Sequence, residues 1–246
     1  DSPDSYYSVA KRVTQERPGA CLMNQYHNPA NPEAHYRTTG PELWEQTRGR
    51  ITHFVAGLGT GGTISGTAKY LKEKNSKVQV IGADPVGSIL KHYHETGEMS
   101  EASTYKIEGV GEDFIPSATD FSLIDRVISC NDRDGLNSAR RLAREEAIFV
   151  GGSSGMATWV AIEVAKGLTP DDLVVVLLPD TGERYLTKVH SDEWMRDNHL
   201  LDPETQRVQD VVGAKGRGVP RLLSLQVHEP VRRALHLVEQ YDITQI

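Results

Sequence analysis

Residues Gly57–Thr63, GLGTGGT, close the apolar run ITHFVAG and open the helical run ISGTAKYLKEK. A strand, a glycine loop and a helix in that order make an anion cradle. Glycines let successive backbone N–H groups converge, and the helix adds its positive N-terminal end. A phosphate-bearing ligand is therefore expected, and two kinds compete. Gly57, Gly59 and Gly62 satisfy G-x-G-x-x-G, and Asp84 ends the next apolar strand, about where a dinucleotide fold places its ribose-binding acid. Against a nicotinamide dinucleotide stand Gly61 and the hydroxyls of Thr60 and Thr63, which suit a terminal phosphate monoester taking donors from all sides. The monoester is preferred, with the dinucleotide left open.

A second constellation, Gly151-Gly152-Ser153-Ser154-Gly155, repeats the plan: AIFV precedes it and the apolar helical run MATWVAIEVAKGL follows. Its serines either cap a tight strand-to-helix turn or offer a hydroxyl to a ligand at the carboxyl edge of a sheet, where open α/β folds bind. Phosphate at one loop and a hydroxyl partner at the other suit pyridoxal phosphate.

The elements that must carry these turns alternate. Helix is expected at 4–16, strand at 19–24, a Pro/Asn-rich turn through NPANPEAHYRTTG, and helix at PELWEQTR. Next come strand 51–56, helix 63–73, strand 78–83, a short helix near 88–96, an irregular glycine-rich segment at 107–116 and strand 124–129. Helix 133–146 is capped by Asn131–Asp132. AIFV and the unbroken run LVVVLLP read as strands, the latter buried on both faces. This alternation predicts an α/β fold, a parallel sheet flanked by helices. After about residue 200 the composition turns polar: 1–200 reads as one catalytic region, 201–218 as a linker, and 219–246 as the start of another domain. The chain opens without a methionine directly into an N-capped helix, and truncation at that end is expected.

Composition excludes several classes. The 246 residues are 38% hydrophobic and 25% charged, with net charge −7. That balance, without a basic stripe, argues against a nucleic-acid surface. No run is long enough to span a bilayer and no signal peptide opens the chain. Cys21 and Cys130 lack a C-x-x-C partner and are expected as buried reduced thiols. The histidines are scattered without a ligand spacing, so no metal is expected.

Six stretches in order then resemble a known family: NQYHNPANPEAHYRTTGPELWEQ, GLGTGGTISG, GADPVGSIL, EGVGEDFIP, GGSSG and LPDTGERYLTK. They are similar to the β-replacement enzymes of pyridoxal phosphate fold type II, the cysteine synthase and cystathionine β-synthase family. DPVGSIL, SDEW at 191–194 and a tail resembling a CBS-type regulatory domain favour the cystathionine β-synthase branch over cysteine synthase. The resemblance assigns Gly59, Thr60, Gly61, Gly62 and Thr63 to the cofactor phosphate and Ser153 to the ring nitrogen. It places Gln25 at the substrate carboxylate, and Gly109 and Gly111 at the second substrate. In animal relatives tyrosine usually stands where Glu112 does; Glu112 meets the ammonium of homocysteine or faces water. A neutral serine at the ring nitrogen, in place of aspartate, leaves the ring weakly polarised and favours β-elimination.

The implied reaction joins serine, or an activated serine, to homocysteine to give cystathionine; the alternative joins O-acetylserine to sulfide. The family's Schiff-base lysine is expected upstream of this chain. A cytoplasmic homo-oligomer and an adenosyl ligand such as S-adenosylmethionine at the regulatory domain complete the expectations, and a binding module without turnover is the remaining alternative.

Overall fold

A computed structural model describes residues 3–201, 225–226 and 228–241, which fall into two compact units, Asp1–Leu200 and Leu201–Ile246. In the first, four parallel strands form one sheet in the order β3-β2-β1-β4: β1 (His53–Gly57), β2 (Gln79–Pro85), β3 (Arg126–Cys130) and β4 (Val174–Val176). Register is continuous across the sheet, with Val55 opposite both Ile81 and Val176, and Gly82 opposite Val127. The expected parallel sheet flanked by helices is the observed architecture.

Side chains alternate across β1, so Phe54 and Ala56 share one face. They pack with Leu58 and with Ile64, Ala68 and Leu71 of helix α4 (Gly62–Lys74). Across the sheet lies α7 (Gly152–Ala165), which touches all four strands. Its buried residues run from Gly152 through Val160 to Val164, nearly all round, which is why its sequence shows almost no polar face. Helix α6 (Asp132–Glu145) packs on α7 and starts where the Asn131 Oδ1 accepts from the Asp134 amide at 2.9 Å, as its Asn-Asp opening suggests.

Several expected elements differ. The Pro/Asn-rich stretch is helical, α2 (Ala30–Arg37) running into α3 (Thr39–Gln46). Pro29 precedes the helix and Pro32 lies in its first turn, where a missing N–H costs nothing. Residues 19–24 are not a strand; Asn24 there takes a left-handed φ of 50°. AIFV is not paired into the sheet: Ala147 also takes a left-handed φ, of 58°, and Ile148 and Phe149 are exposed. The LVVVLLP run forms only the three-residue β4, half-buried because it lies at one end of the sheet. Cys21 is exposed, against expectation, whereas Cys130 is buried and its thiol is pushed up to about 12, chiefly by burial. The remaining helices of this unit are α1 (Tyr6–Glu16), α5 (Leu90–Thr96) and α8 (Asp192–Asp197).

In the second unit the described residues include one amphipathic helix, α9 (Val231–Tyr241), with Leu237 buried. Residues 202–224 and 242–246, which include nearly all of the expected linker and much of the expected regulatory tail, lie outside the described residues.

Helix α2 seats on α4 at Gly66, where any Cβ would run into the Pro32 carbonyl oxygen. Gly66→Ala must separate the two helices, and urea unfolding is expected to show a loss of about 2 kcal/mol or more. An unchanged midpoint would mean that the contact is not tight in solution.

Candidate functional site

The glycine loop leaves β1 at Gly57 and enters α4 at Gly62 through Gly61, whose φ of 79° is left-handed. A side chain at Gly61 would be strained and would overlap Thr119, whose hydroxyl donates to the Thr60 carbonyl at 3.3 Å. Among the described residues, the amides of Thr60, Gly61 and Thr63 donate to no protein acceptor. Helix N-termini always leave such donors unpaired. Here they come beside two hydroxyls, Thr60 and Thr63, around a largely buried turn, the arrangement that suits an anion. This donor set fits a phosphate monoester.

The second turn is clamped by a residue far along the chain. Asp180 Oδ1 accepts from the Gly151 amide at 3.1 Å and from the Ser154 hydroxyl at 2.7 Å. Its other neighbour is Tyr185, whose hydroxyl is pushed up to about 12 by burial and by a hydrogen bond with Asp180. Ser154 is thereby occupied. Ser153 is buried in the first turn of α7, and its hydroxyl makes no hydrogen bond among the described residues.

One short segment joins the two turns. A Cβ on Gly59 would lie 2.9 Å from the Gly109 carbonyl oxygen, and one on Gly57 would lie 2.9 Å from Val110 Cγ1. At the other turn, a Cβ on Gly152 would lie 3.8 Å from Ile107 Cγ2. Ile107 and Gly109 are two residues apart, a reach of at most about 7 Å in extended chain. The two glycine turns thus flank one stretch of backbone, close enough for one small molecule to meet both. The segment is pinned to the loop by a hydrogen bond from the Gly111 amide to the Leu58 carbonyl at 2.6 Å, and Gly109 and Gly111 both take left-handed φ, of 78° and 72°.

Next along this segment, Glu112 is half-buried. Its amide donates to Ser88 Oγ at 3.1 Å and its carbonyl accepts from the Ile89 amide at 3.1 Å. Burial pushes its carboxyl up to about 7, the Tyr26 hydroxyl opposes this by donating to it, and Asp113 and Asp84 add repulsion. Tyr26 also shares a hydrogen bond with Tyr6, and its phenol is held well above the ordinary range, first by burial. Gln25 lies beside them in a cavity of about 740 Å³ lined also by Tyr7, His27 and Phe114. Asp84 is fully buried, and burial pushes it up to about 6 although the Lys91 amide donates to it at 3.0 Å. Turned inward in this way, Asp84 is not offered to a ribose, which removes the geometry a dinucleotide needs.

Every sequence-derived site residue lies in the first unit. Gly59–Thr63, Gly109, Gly111 and Glu112 come together, and Ser153 follows Gly152, the glycine that packs near Ile107. Gln25 joins through its backbone, whose carbonyl accepts from Asn31 at 2.9 Å while its side chain is exposed. Missed in the sequence were Asn31, His35, Thr119 and Asp180. Only for Asp180, in the PDTG turn after an apolar run, did a local signal exist. Lys188 is held in an ion pair with Glu108. No helix among the described residues is long and apolar enough to cross a membrane.

Comparison with known proteins places these features in a family. Residues 1–180 match the model of the pyridoxal-phosphate dependent enzymes. The chain is 44% identical over 212 residues to cystathionine beta-synthase of Saccharomyces cerevisiae, covering 83% of this chain and 42% of that one. It is 39% identical over 253 residues to cystathionine beta-synthase of Dictyostelium discoideum, covering 100% and 50%. Cysteine synthase A of Escherichia coli is 41% identical over 169 residues, covering 68% and 52%. The chain spans about half the length of the curated relatives it matches.

Glu112 yields a prediction with a definite sign. The folded chain binds its proton more tightly than the unfolded chain, whose carboxyl titrates near 4.5. Folded stability is thus favoured at low pH and falls as pH rises from about 4.5 through about 7. Glu112→Gln should leave the Tm unchanged at pH 4.5 and raise it by about 2 °C or more at pH 8. Parallel Tm curves for the two proteins across that range would contradict the burial of this carboxyl.

Proposed function

Because this chain belongs to the pyridoxal-phosphate dependent enzyme family, we propose that the intact protein condenses L-serine, or an activated serine, with L-homocysteine to form L-cystathionine. When bound, pyridoxal phosphate supplies an electron sink for the α-carbon of an amino acid, so that a β-substituent can leave and a thiol can replace it. The supporting observation is the pair of glycine turns held against one short backbone segment, with phosphate donors at one and a free neutral hydroxyl at the other.

In this reading Gly59, Thr60, Gly61, Gly62 and Thr63 hold the phosphate and Ser153 meets the ring nitrogen as a neutral partner. Gln25 orients the amino-acid carboxylate. Gly109 and Gly111 give the second substrate room, and Glu112 meets its ammonium group. The identity to cystathionine beta-synthases over most of the chain supports homocysteine as the thiol. The similar identity to a cysteine synthase supports a second reading, O-acetylserine with sulfide. The tail from about 219 is read as the start of a CBS-type domain that responds to an adenosyl ligand, and the protein as a cytoplasmic homo-oligomer. The Schiff-base lysine is assigned to the preceding part of the protein.

Product analysis on the intact protein separates the two readings. Cystathionine from serine and homocysteine is expected in excess over cysteine from O-acetylserine and sulfide, and the reverse order would transfer the chain to the second reading. Ser153→Asp, which would hold a proton on the ring nitrogen, should retain the cofactor yet lower kcat at least about tenfold. Unchanged turnover in that variant would remove Ser153 from the ring.

A further inference from the structure

Both threonines of the glycine loop are tied to one helix that the sequence alone reads as a turn. Asn31 and His35, four residues apart on α2, share a face of that helix and reach Thr60 and Thr63 respectively. What these bonds decide is the direction in which each hydroxyl proton points.

For Thr60 the direction follows from the hydrogen-bond network. Asn31 Nδ2 lies 2.9 Å from the Gln25 carbonyl oxygen and 3.0 Å from Thr60 Oγ1. A carbonyl can only accept, so the atom facing it must be the NH2 group, and its second proton goes to Thr60. The Gly62 amide approaches the same Thr60 oxygen at 3.5 Å. Thr60 therefore receives donors from the protein and keeps its own O–H for something else. His35 offers the same arrangement to Thr63. Its Nε2 lies 3.1 Å from Thr63 Oγ1 and its Nδ1 lies 2.9 Å from Thr39 Oγ1. Burial lowers the pKa of this ring and so favours its neutral form, in which one nitrogen donates and the other accepts. With Thr39 donating to Nδ1, Nε2–H donates to Thr63, and the Thr63 proton is likewise free. A phosphate in the loop selects this tautomer, because the opposite one would spend the Thr63 proton on the ring.

We infer that Asn31 and His35 are positioning residues that set the hydroxyls of Thr60 and Thr63 as donors toward a bound phosphate. The loop then faces the anion with two O–H groups of fixed polarity beside its amides. The inference rests on the phosphate-cradle reading of the loop.

The test uses an isostere that fills the same space with the opposite polarity. In Asn31→Asp, a carboxylate captures the Thr60 proton. Dissociation constants for inorganic phosphate, pyridoxal phosphate and phosphate-free pyridoxal are measured by calorimetry on the intact protein, with the 31P chemical shift as a second readout. Asn31→Asp is expected to weaken both phosphate ligands at least about tenfold, to move the bound 31P resonance, and to leave pyridoxal within about twofold. Thr60→Val removes the same donor, so the double variant Asn31→Asp/Thr60→Val should bind phosphate no worse than the weaker single one. Additive losses would mean that the new charge acts by repulsion alone and would overturn the inference. His35→Gln, which keeps a donor, should remain within about threefold of the parent, and His35→Leu should fall below it; equal losses in the two would also overturn it. If the parent binds pyridoxal phosphate but these patterns are missing, the inference fails and the cofactor reading stands. If inorganic phosphate follows the pattern while pyridoxal phosphate does not bind, the inference stands and the cofactor reading fails.

Discussion

The close approach of Gly59 to the Gly109 carbonyl is the constraint on which the site depends. A Cβ at Gly59 would sit 2.9 Å from that oxygen, tighter than ordinary side-chain contact, so the loop and the 107–111 backbone can lie together only because Gly59 carries none. The sheet prepares this contact. β1 and β2 run in register to Gly57 and Ala83, the Leu58 amide continues the ladder by donating to the Ala83 carbonyl at 2.8 Å, and the Leu58 carbonyl accepts from Gly111. The segment is thus held to the loop by a backbone hydrogen bond and by the packing of Val110 on Gly57. Gly152, packed near Ile107, then brings the start of α7 to the same edge.

The two sides of this edge have opposite electrostatic character. The glycine loop gathers amides and threonine hydroxyls, all able to donate, at the positive end of α4. Past Gly111 the carboxyls of Asp84 and Glu112 are both desolvated, and Glu112 is also repelled by Asp84, so that each holds its proton more tightly than in water. A dianionic group is favoured at one end, and a cationic or protonated group at the other. A phosphorylated cofactor beside the ammonium group of an amino acid has that same distribution of charge.

Much of this was legible in the sequence, for physical reasons. Gly57–Thr63 and Gly151–Gly155 stood out because each turn separates an apolar run from a helical one, and glycine spacing there answers to steric need within a few residues. The irregular segment at 107–116 is what two left-handed glycines and a close approach produce. Helix α2 was not legible: Pro29 and Pro32 signal a turn everywhere except at a helix start, where they sit. Its loss hid Asn31 and His35, whose partners lie 29 and 28 residues away with no spacing rule to connect them. Strand length also failed at the sheet's end. LVVVLLP is as apolar as a doubly buried strand, yet β4 pairs on one side with β1 and stays half-buried. Asp180 sits in a PDTG turn that the sequence does mark, but nothing local connects it to the serine 26 residues away that it holds.

A crystal structure of the intact protein with pyridoxal phosphate would show whether both turns grasp one small molecule across the 107–111 segment. The phosphate is expected within hydrogen-bond distance of the Gly61 and Thr63 amides and of both threonine hydroxyls, with the ring nitrogen within hydrogen-bond distance of Ser153 Oγ. A phosphate bound outside the glycine loop, or a ring nitrogen facing away from Ser153, would contradict it.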